Sequence, residues 1–121
     1  MAVNPNTNLV YVANGGSNTV SVINGGNNGV IETVGVGIGP WVVAVNPITN
    51  RIYVANSNSD NVSVIDGGTN TVIETVGVDV RPLGVAVNPN TNRIYVANSG
   101  SNTVSVIDGG TNMVIETVGG G

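Results

Sequence analysis

Cysteine, histidine, lysine and phenylalanine are all missing from this chain. Without cysteine there is neither a disulfide framework nor a thiol nucleophile. Without histidine the commonest general base and metal ligand is gone, and without lysine no Schiff base can form. The cations are Arg51, Arg81 and Arg93. They face Asp60, Asp66, Asp79, Asp108, Glu32, Glu74 and Glu116, for a formal net charge of −4. Nucleic acid is not an expected partner, because neutralising phosphates requires a basic surface. No basic amphipathic segment suits an anionic membrane surface, and no run of about eighteen apolar residues is available to span a bilayer. Membrane insertion is therefore not expected either, and the composition calls for no cofactor. Met1-Ala2-Val3-Asn4-Pro5 has neither the basic region nor the apolar stretch of a signal peptide.

Aromatic residues are scarce, limited to Trp41, Tyr11, Tyr53 and Tyr95, so any core must be built mostly from Val and Ile. Eighteen glycines, many asparagines and abundant β-branched residues argue for strands joined by tight turns. No stretch sustains a 3.6-residue apolar period without Gly or Pro, so no helix is expected. At 121 residues the chain is expected to form one domain.

What is present is a repeat. Ala44-Val45-Asn46-Pro47 returns 42 residues later as Ala86-Val87-Asn88-Pro89 and is anticipated by Ala2-Val3-Asn4-Pro5. Over the 36 positions from 44 to 79, the second copy differs from the third only at 48, 58, 60, 61, 71, 78 and 79. The repeats are read as 1–40, 41–82 and 83–121. In the second, Trp41 to Asn46 is almost wholly apolar and suits a strand covered on both faces. Arg51 to Asn56, Asn61 to Asp66 and Thr71 to Val78 follow as further strands, separated by Pro47-Ile48-Thr49-Asn50, Ser57 to Asp60 and Gly67-Gly68-Thr69-Asn70. Val62 and Val64 point to one side of their strand and Ser63 and Ile65 to the other. Neither side is strongly polar, so the sheet must be buried between neighbours. A four-stranded meander repeated with a period in the forties predicts an all-β fold of β-propeller blades, three per chain. A β-solenoid, with open stacking, is the alternative architecture.

Three blades do not fill a ring, since propellers run to about four to eight. A free arc would leave two apolar sheet faces in water, each above the roughly few hundred Å² that soluble monomers expose. Closure by symmetric association is the expected remedy. Two chains make six blades, so a six-bladed homodimer is the predicted assembly, with the third blade of each chain on the first blade of the other.

Candidate sites are few. Trp41, Asp79 and Arg81 break the repeat, standing where the other copy has Leu83, Gly37 and Gly39. They lie at the linkers that open the inner strands, at one mouth of the expected channel, and are candidate ligand contacts. Asn4, Asn46 and Asn88 end the inner strands beside Pro and are candidates to line the channel opening, although turn formation alone accounts for them. The Asp66-Gly67-Gly68-Thr69-Asn70 loop has oxygen ligands suited to Ca²⁺, but one carboxylate per loop favours a turn bonded to its own backbone. Glu32, Glu74 and Glu116 fall on separate outer strands and read as solvated charges rather than an acid–base pair. Arg51 and Arg93 read as turn caps or partners of nearby acids. No residue is assigned as catalytic or metal-binding.

Tyr53-Val54-Ala55-Asn56 and its copies Tyr11-Val12-Ala13-Asn14 and Tyr95-Val96-Ala97-Asn98 resemble the signature of the YVTN-type β-propeller repeat, with Ala in place of Thr. The flanking Val-Asn-Pro-x-Thr-Asn and Thr-Val-Ser-Val-Ile-Asp segments resemble it too. The resemblance implies blades around a central channel, with relatives among surface-layer proteins, secreted repeat proteins and lactonase-like propellers. It implies a non-catalytic scaffold or interaction module, extracellular or at the cell surface. A lactonase-like enzyme with a site around Arg81 and Asp79 is one alternative. A propeller fragment, excised or engineered and without an evolved activity, is the other.

Overall fold

The computed structural model describes residues 1–119. They form β1 (Ala2–Asn4), β2 (Leu9–Asn14), β3 (Thr19–Asn24), β4 (Gly29–Gly35), β5 (Pro40–Asn46), β6 (Arg51–Asn56), β7 (Asn61–Asp66), β8 (Thr71–Gly77), β9 (Pro82–Asn88), β10 (Arg93–Asn98), β11 (Thr103–Asp108) and β12 (Met113–Gly119). Each run of four makes one antiparallel meander, giving three separate sheets in sequence order. Three four-stranded sheets of one all-β chain are the predicted blades.

The asparagines explain the turns. Every hairpin loop is four residues long and ends in the left-handed region. The residues there are Asn8, Asn18 and Asn28 in the first sheet, Asn50, Asp60 and Asn70 in the second, and Asn92, Asn102 and Asn112 in the third. Asn and Asp tolerate this conformation because their short polar side chains can bond locally. The loop after β7 shows the device: the Asn70 N–H donates to the Asp66 carbonyl at 2.7 Å, and Asp66 Oδ1 accepts the Gly68 N–H at 3.0 Å. Gly67 beside it is obligatory, because a Cβ there would run into the Asn50 side chain.

Alternation along the strands gives each sheet two unlike apolar faces. One carries Tyr11, Val20, Val22 and Val34 in the first sheet, and Tyr53, Val62, Val64 and Val76 in the second. The other carries Val43, Ile52, Val54 and Ile65 in the second sheet, and Ile94, Val96 and Ile107 in the third. The tyrosine face of each sheet packs on the isoleucine face of the next, so the chain contains the same junction twice. Inner strands β1, β5 and β9 lie close together, whereas outer strands β4, β8 and β12 barely meet. The sheets therefore fan like wedges, as blades do around an axis.

Inner and outer strand boundaries differ from expectation by one residue. The inner strands begin one residue early, at Pro40 and Pro82. Pro40 pairs with Asn56 and Val42 with Ala55, leaving Trp41 as an extra, bulged residue; Leu83 is its counterpart between Pro82 and Gly84. The outer strand of the second blade stops at Gly77 rather than Val78, because the Val78 N–H turns away to donate to the Asp60 carbonyl. A second bulge recurs in each outer strand. Val64 pairs with Glu74 and Ile65 with Val72, so Ile73 has no partner, and Ile31 and Ile115 repeat this. Bulges raise local twist and re-aim side chains.

Candidate functional site

The two linkers between blades are built alike. Gly39 has φ +67 and Arg81 has φ +58. The Gly39 N–H donates to Asn18 Oδ1 at 3.0 Å and the Arg81 N–H to Asp60 Oδ1 at 2.9 Å. The Gly39 carbonyl accepts from the Ser57 N–H and hydroxyl at 2.9 and 2.8 Å; the Arg81 carbonyl accepts from those of Ser99, both at 3.0 Å. Hydrogen bonds on both sides of the residue thus hold it left-handed. Glycine adopts this conformation freely, whereas a long side chain is strained there. Of the ten non-glycine residues with positive φ, Arg81 is the one that is neither Asn nor Asp.

Between these linkers lies a cavity of about 320 Å³, lined by the side chains of Pro40, Trp41, Leu83, Ser57, Asn58 and Arg81, with Gly15 and Gly39 beside them. Trp41 sits at the bulge and is 65% exposed. Five of those six side chains stand where the repeats disagree: Trp41 against Leu83, Arg81 against Gly39, Ser57 against Gly15, and Asn58 against Gly16 and Gly100. Arg51 pairs with Asp66 at 3.3 Å and Arg93 with Asp108 at 3.4 Å, directly across β6–β7 and β10–β11. Among the described residues Arg81 alone of the three arginines has no ion pair.

Of the predicted site residues, Trp41 and Arg81 share this cavity and Asp79 does not line it. Asp79 Oδ2 instead accepts the Thr103 hydroxyl at 2.9 Å, and its Oδ1 accepts the Val80 N–H at 3.2 Å. Asn4 and Asn46 are fully buried. Asn4 Nδ2 donates to Asn50 Oδ1 at 2.9 Å and Asn46 Nδ2 to Asn92 Oδ1 at 3.2 Å, each bond crossing to the next blade. Asn88, the third of the series, is exposed, and its Oδ1 accepts the Asn90 N–H at 3.1 Å. Glu32, Glu74 and Glu116 are exposed on three different sheets.

Sequence reasoning did not single out the asparagine that ends each Tyr-Val-Ala-Asn segment. Asn56 Nδ2 donates to Asn61 Oδ1 at 2.8 Å and to Ser63 Oγ at 2.9 Å, and Asn98 binds Thr103 and Ser105 in the same way. The motif therefore locks β6 to β7 and β10 to β11, a structural task. Nor did it single out Asn58; the disagreement of the repeats at position 58 was the signal available. Burial raises the Tyr11 hydroxyl above the ordinary tyrosine range, helped by the charge of Asp66, and burial raises Tyr53 against the opposing influence of Arg51. Chemically, the cavity offers a cation, an amide and apolar side chains that include an indole. Among the described residues no three Asp or Glu side chains cluster to hold a metal ion, and no helix is long and apolar enough to cross a membrane.

Comparison with known proteins agrees with this architecture. The NHL repeat model matches residues 80–107. The chain superposes on Kuenenia stuttgartiensis hydrazine synthase with a TM-score of 0.91 at 29% identity, over 95% of its own length and 33% of that chain. It resembles the dihydro-heme d1 dehydrogenase NirN (TM-score 0.82, 17% identity, 98% of this chain and 25% of that one) and U3-55K (0.87, 15%, 98% and 38%). The last two likenesses show fold alone. No curated protein sequence matches. The chain spans about a third of the hydrazine synthase chain and a quarter of the NirN chain. Repeat, topology and likeness together define a β-propeller repeat protein.

Proposed function

We propose that this chain is a non-catalytic propeller module of the YVTN type that closes its ring by pairing with a second copy and presents the ring as a scaffold for binding, at a cell surface or outside the cell. The observation that carries this reading is that its two end faces are the two halves of its own internal junction. On the third blade the tyrosine face is uncovered: Tyr95 is 40% exposed where Tyr11 and Tyr53 are fully buried, and Val118 is 48% exposed where Val34 and Val76 are at 6%. A shallow apolar hollow of about 330 Å³ lies there, among Val85, Ala86, Tyr95, Ala97 and Val104. On the first blade the isoleucine-type face is uncovered, with Val3 and Val30 exposed and Val10, Val12 and Ile23 partly so.

One polar contact repeats in register as well: Asn4 Nδ2 donates to Asn50 Oδ1 at the first junction and Asn46 Nδ2 to Asn92 Oδ1 at the second. Tyr11 donates to Asn70 Oδ1 at 3.4 Å across the first junction, whereas the equivalent Tyr53 hydroxyl and Asn112 Oδ1 at the second are not bonded to each other. By the repeat, Asn88 meets Asn8 of a second copy. Ring closure needs a multiple of three blades, and six is the multiple inside the known range of about four to eight. The reading as a lactonase-like enzyme is supported less well: Asp79, its expected carboxylate, is bonded to Thr103 and does not line the Arg81 cavity. The test is native mass across a dilution series. A species of about twice 12.1 kDa supports the ring. A folded monomer at all concentrations, or an unbounded ladder of oligomers, refutes it. Lactone turnover that Arg81→Ala abolishes would replace the scaffold by the enzyme.

A further inference from the structure

We propose that the cavity between Trp41 and Arg81 is a binding site for a small aromatic carboxylate. Three independent observations meet there. First, the Arg81 guanidinium has no ion pair among the described residues, while Arg51 and Arg93 each have one. A free guanidinium fork matches the two oxygens of a carboxylate. Second, Arg81 occupies a left-handed position at φ +58 that its sister linker fills with Gly39. A strained residue held by hydrogen bonds on both sides is a recurring mark of a functional site. Third, the same cavity has an apolar lining, made by the bulged Trp41 with Pro40 and Leu83.

Volume and polarity select the ligand. About 320 Å³ is at the lower end for small-molecule pockets and admits a single substituted ring. Trp41 covers the face of that ring, Arg81 binds its carboxylate, and the exposed Asn58 amide is placed to bind a further polar substituent. The Asp60 carboxylate lies close by but accepts the Arg81 backbone N–H. Its charge and the net charge of −4 favour a singly charged ligand over a phosphate. With Gly15 from the first blade, the lining draws on all three blades of one chain and needs no second copy, so it stands apart from ring closure.

Trp41 is the only tryptophan, so its indole N–H gives a single resonance in a ¹H–¹⁵N spectrum and reports the cavity directly. The probes are benzoate, the neutral isostere benzamide, and acetate, which lacks the ring. Benzoate is expected to shift the indole signal saturably, and benzamide and acetate are not. Arg81→Gly copies the sister linker and so keeps the backbone. It is expected to weaken benzoate binding by about tenfold or more, with the remaining amide pattern and the native mass unchanged. Arg81→Lys keeps the charge without the fork and is expected to fall between the two. A linear response to benzoate, an equal response to benzamide, or undiminished binding by Arg81→Gly would overturn the proposal.

Discussion

Replacing Arg81 by glycine is expected to stabilise the protein, although it deletes a charged side chain. The left-handed region costs an L-residue about 1 to 2 kcal/mol relative to its right-handed alternative. Glycine is free of that cost but gives back about 0.4 to 1 kcal/mol through its more flexible unfolded chain. The Arg81 side chain is exposed and has no ion pair among the described residues, so little else is lost. The hydrogen bonds that hold the linker, from the Arg81 N–H to Asp60 and from Ser99 to the Arg81 carbonyl, use only its backbone. The difference leaves Arg81→Gly more stable by about 0.5 to 1 kcal/mol. In urea, where unfolding free energy falls by about 1 to 3 kcal/mol per molar, the midpoint rises by roughly 0.2 to 0.5 M. Denaturation must be followed at one fixed protomer concentration, because association adds to apparent stability. Arg81→Ala retains the left-handed cost and serves as control, with a midpoint at or below that of the parent. A lower midpoint for Arg81→Gly would refute the reasoning, because it would mean that the side chain makes contacts worth more than the strain.

Ile94→Ala empties a fully buried position in the second junction and is expected to cost about 3 kcal/mol, read from the same urea transition. Asn56→Ala removes both bonds that lock β6 to β7, leaves the buried Ser63 without its donor, and is expected to cost about 2 kcal/mol. Val12→Asp places a charge on the free face of the first blade. It is expected to halve the native mass at micromolar concentration while leaving the circular dichroism spectrum unchanged, whereas an unchanged dimer would show that this face is not the junction. Tyr11 and Tyr53 have raised hydroxyl pKa values in the folded state. Their contribution is complete below the unfolded value of 10.0 and is lost as pH rises through the folded values. The urea midpoint should therefore hold up to about pH 10 and fall above it, with Tyr11→Phe reducing the slope.

Most of the fold was legible because the repeat supplied three readings of every strand. Arg51–Asn56 and Asn61–Asp66 were placed residue for residue, since each runs between polar turn residues and alternates two apolar faces. The bulges were not legible. An extra residue at Trp41 or Ile73 breaks a register that exists only when two strands are paired, and a single strand carries no record of it. The candidate site was half legible. Loss of repeat identity drew attention to Trp41, Asp79 and Arg81 together, but the left-handed turn at Arg81 and the Thr103 hydroxyl send Asp79 elsewhere, and both depend on partners distant in sequence. The role of Asn46 was hidden for the same reason. Its partner Asn92 lies one blade away, and nothing in Val-Asn-Pro distinguishes a turn former from a bond between sheets.

The tyrosine face and the isoleucine face are different surfaces, so each blade has a direction, like a brick with a stud on one side and a socket on the other. A stud-and-socket contact has no built-in end and can add blades without limit. What limits it is shape: the inner strands sit closer together than the outer ones, and every added blade turns the stack by a further angle. That angle depends on side-chain bulk along the innermost strands, where the second blade has Val42 and the third has Gly84 at the equivalent position. Enlarging or trimming that position in the second and third blades is then a handle on circumference. It offers a way to change how many blades complete a turn without altering the face that joins them.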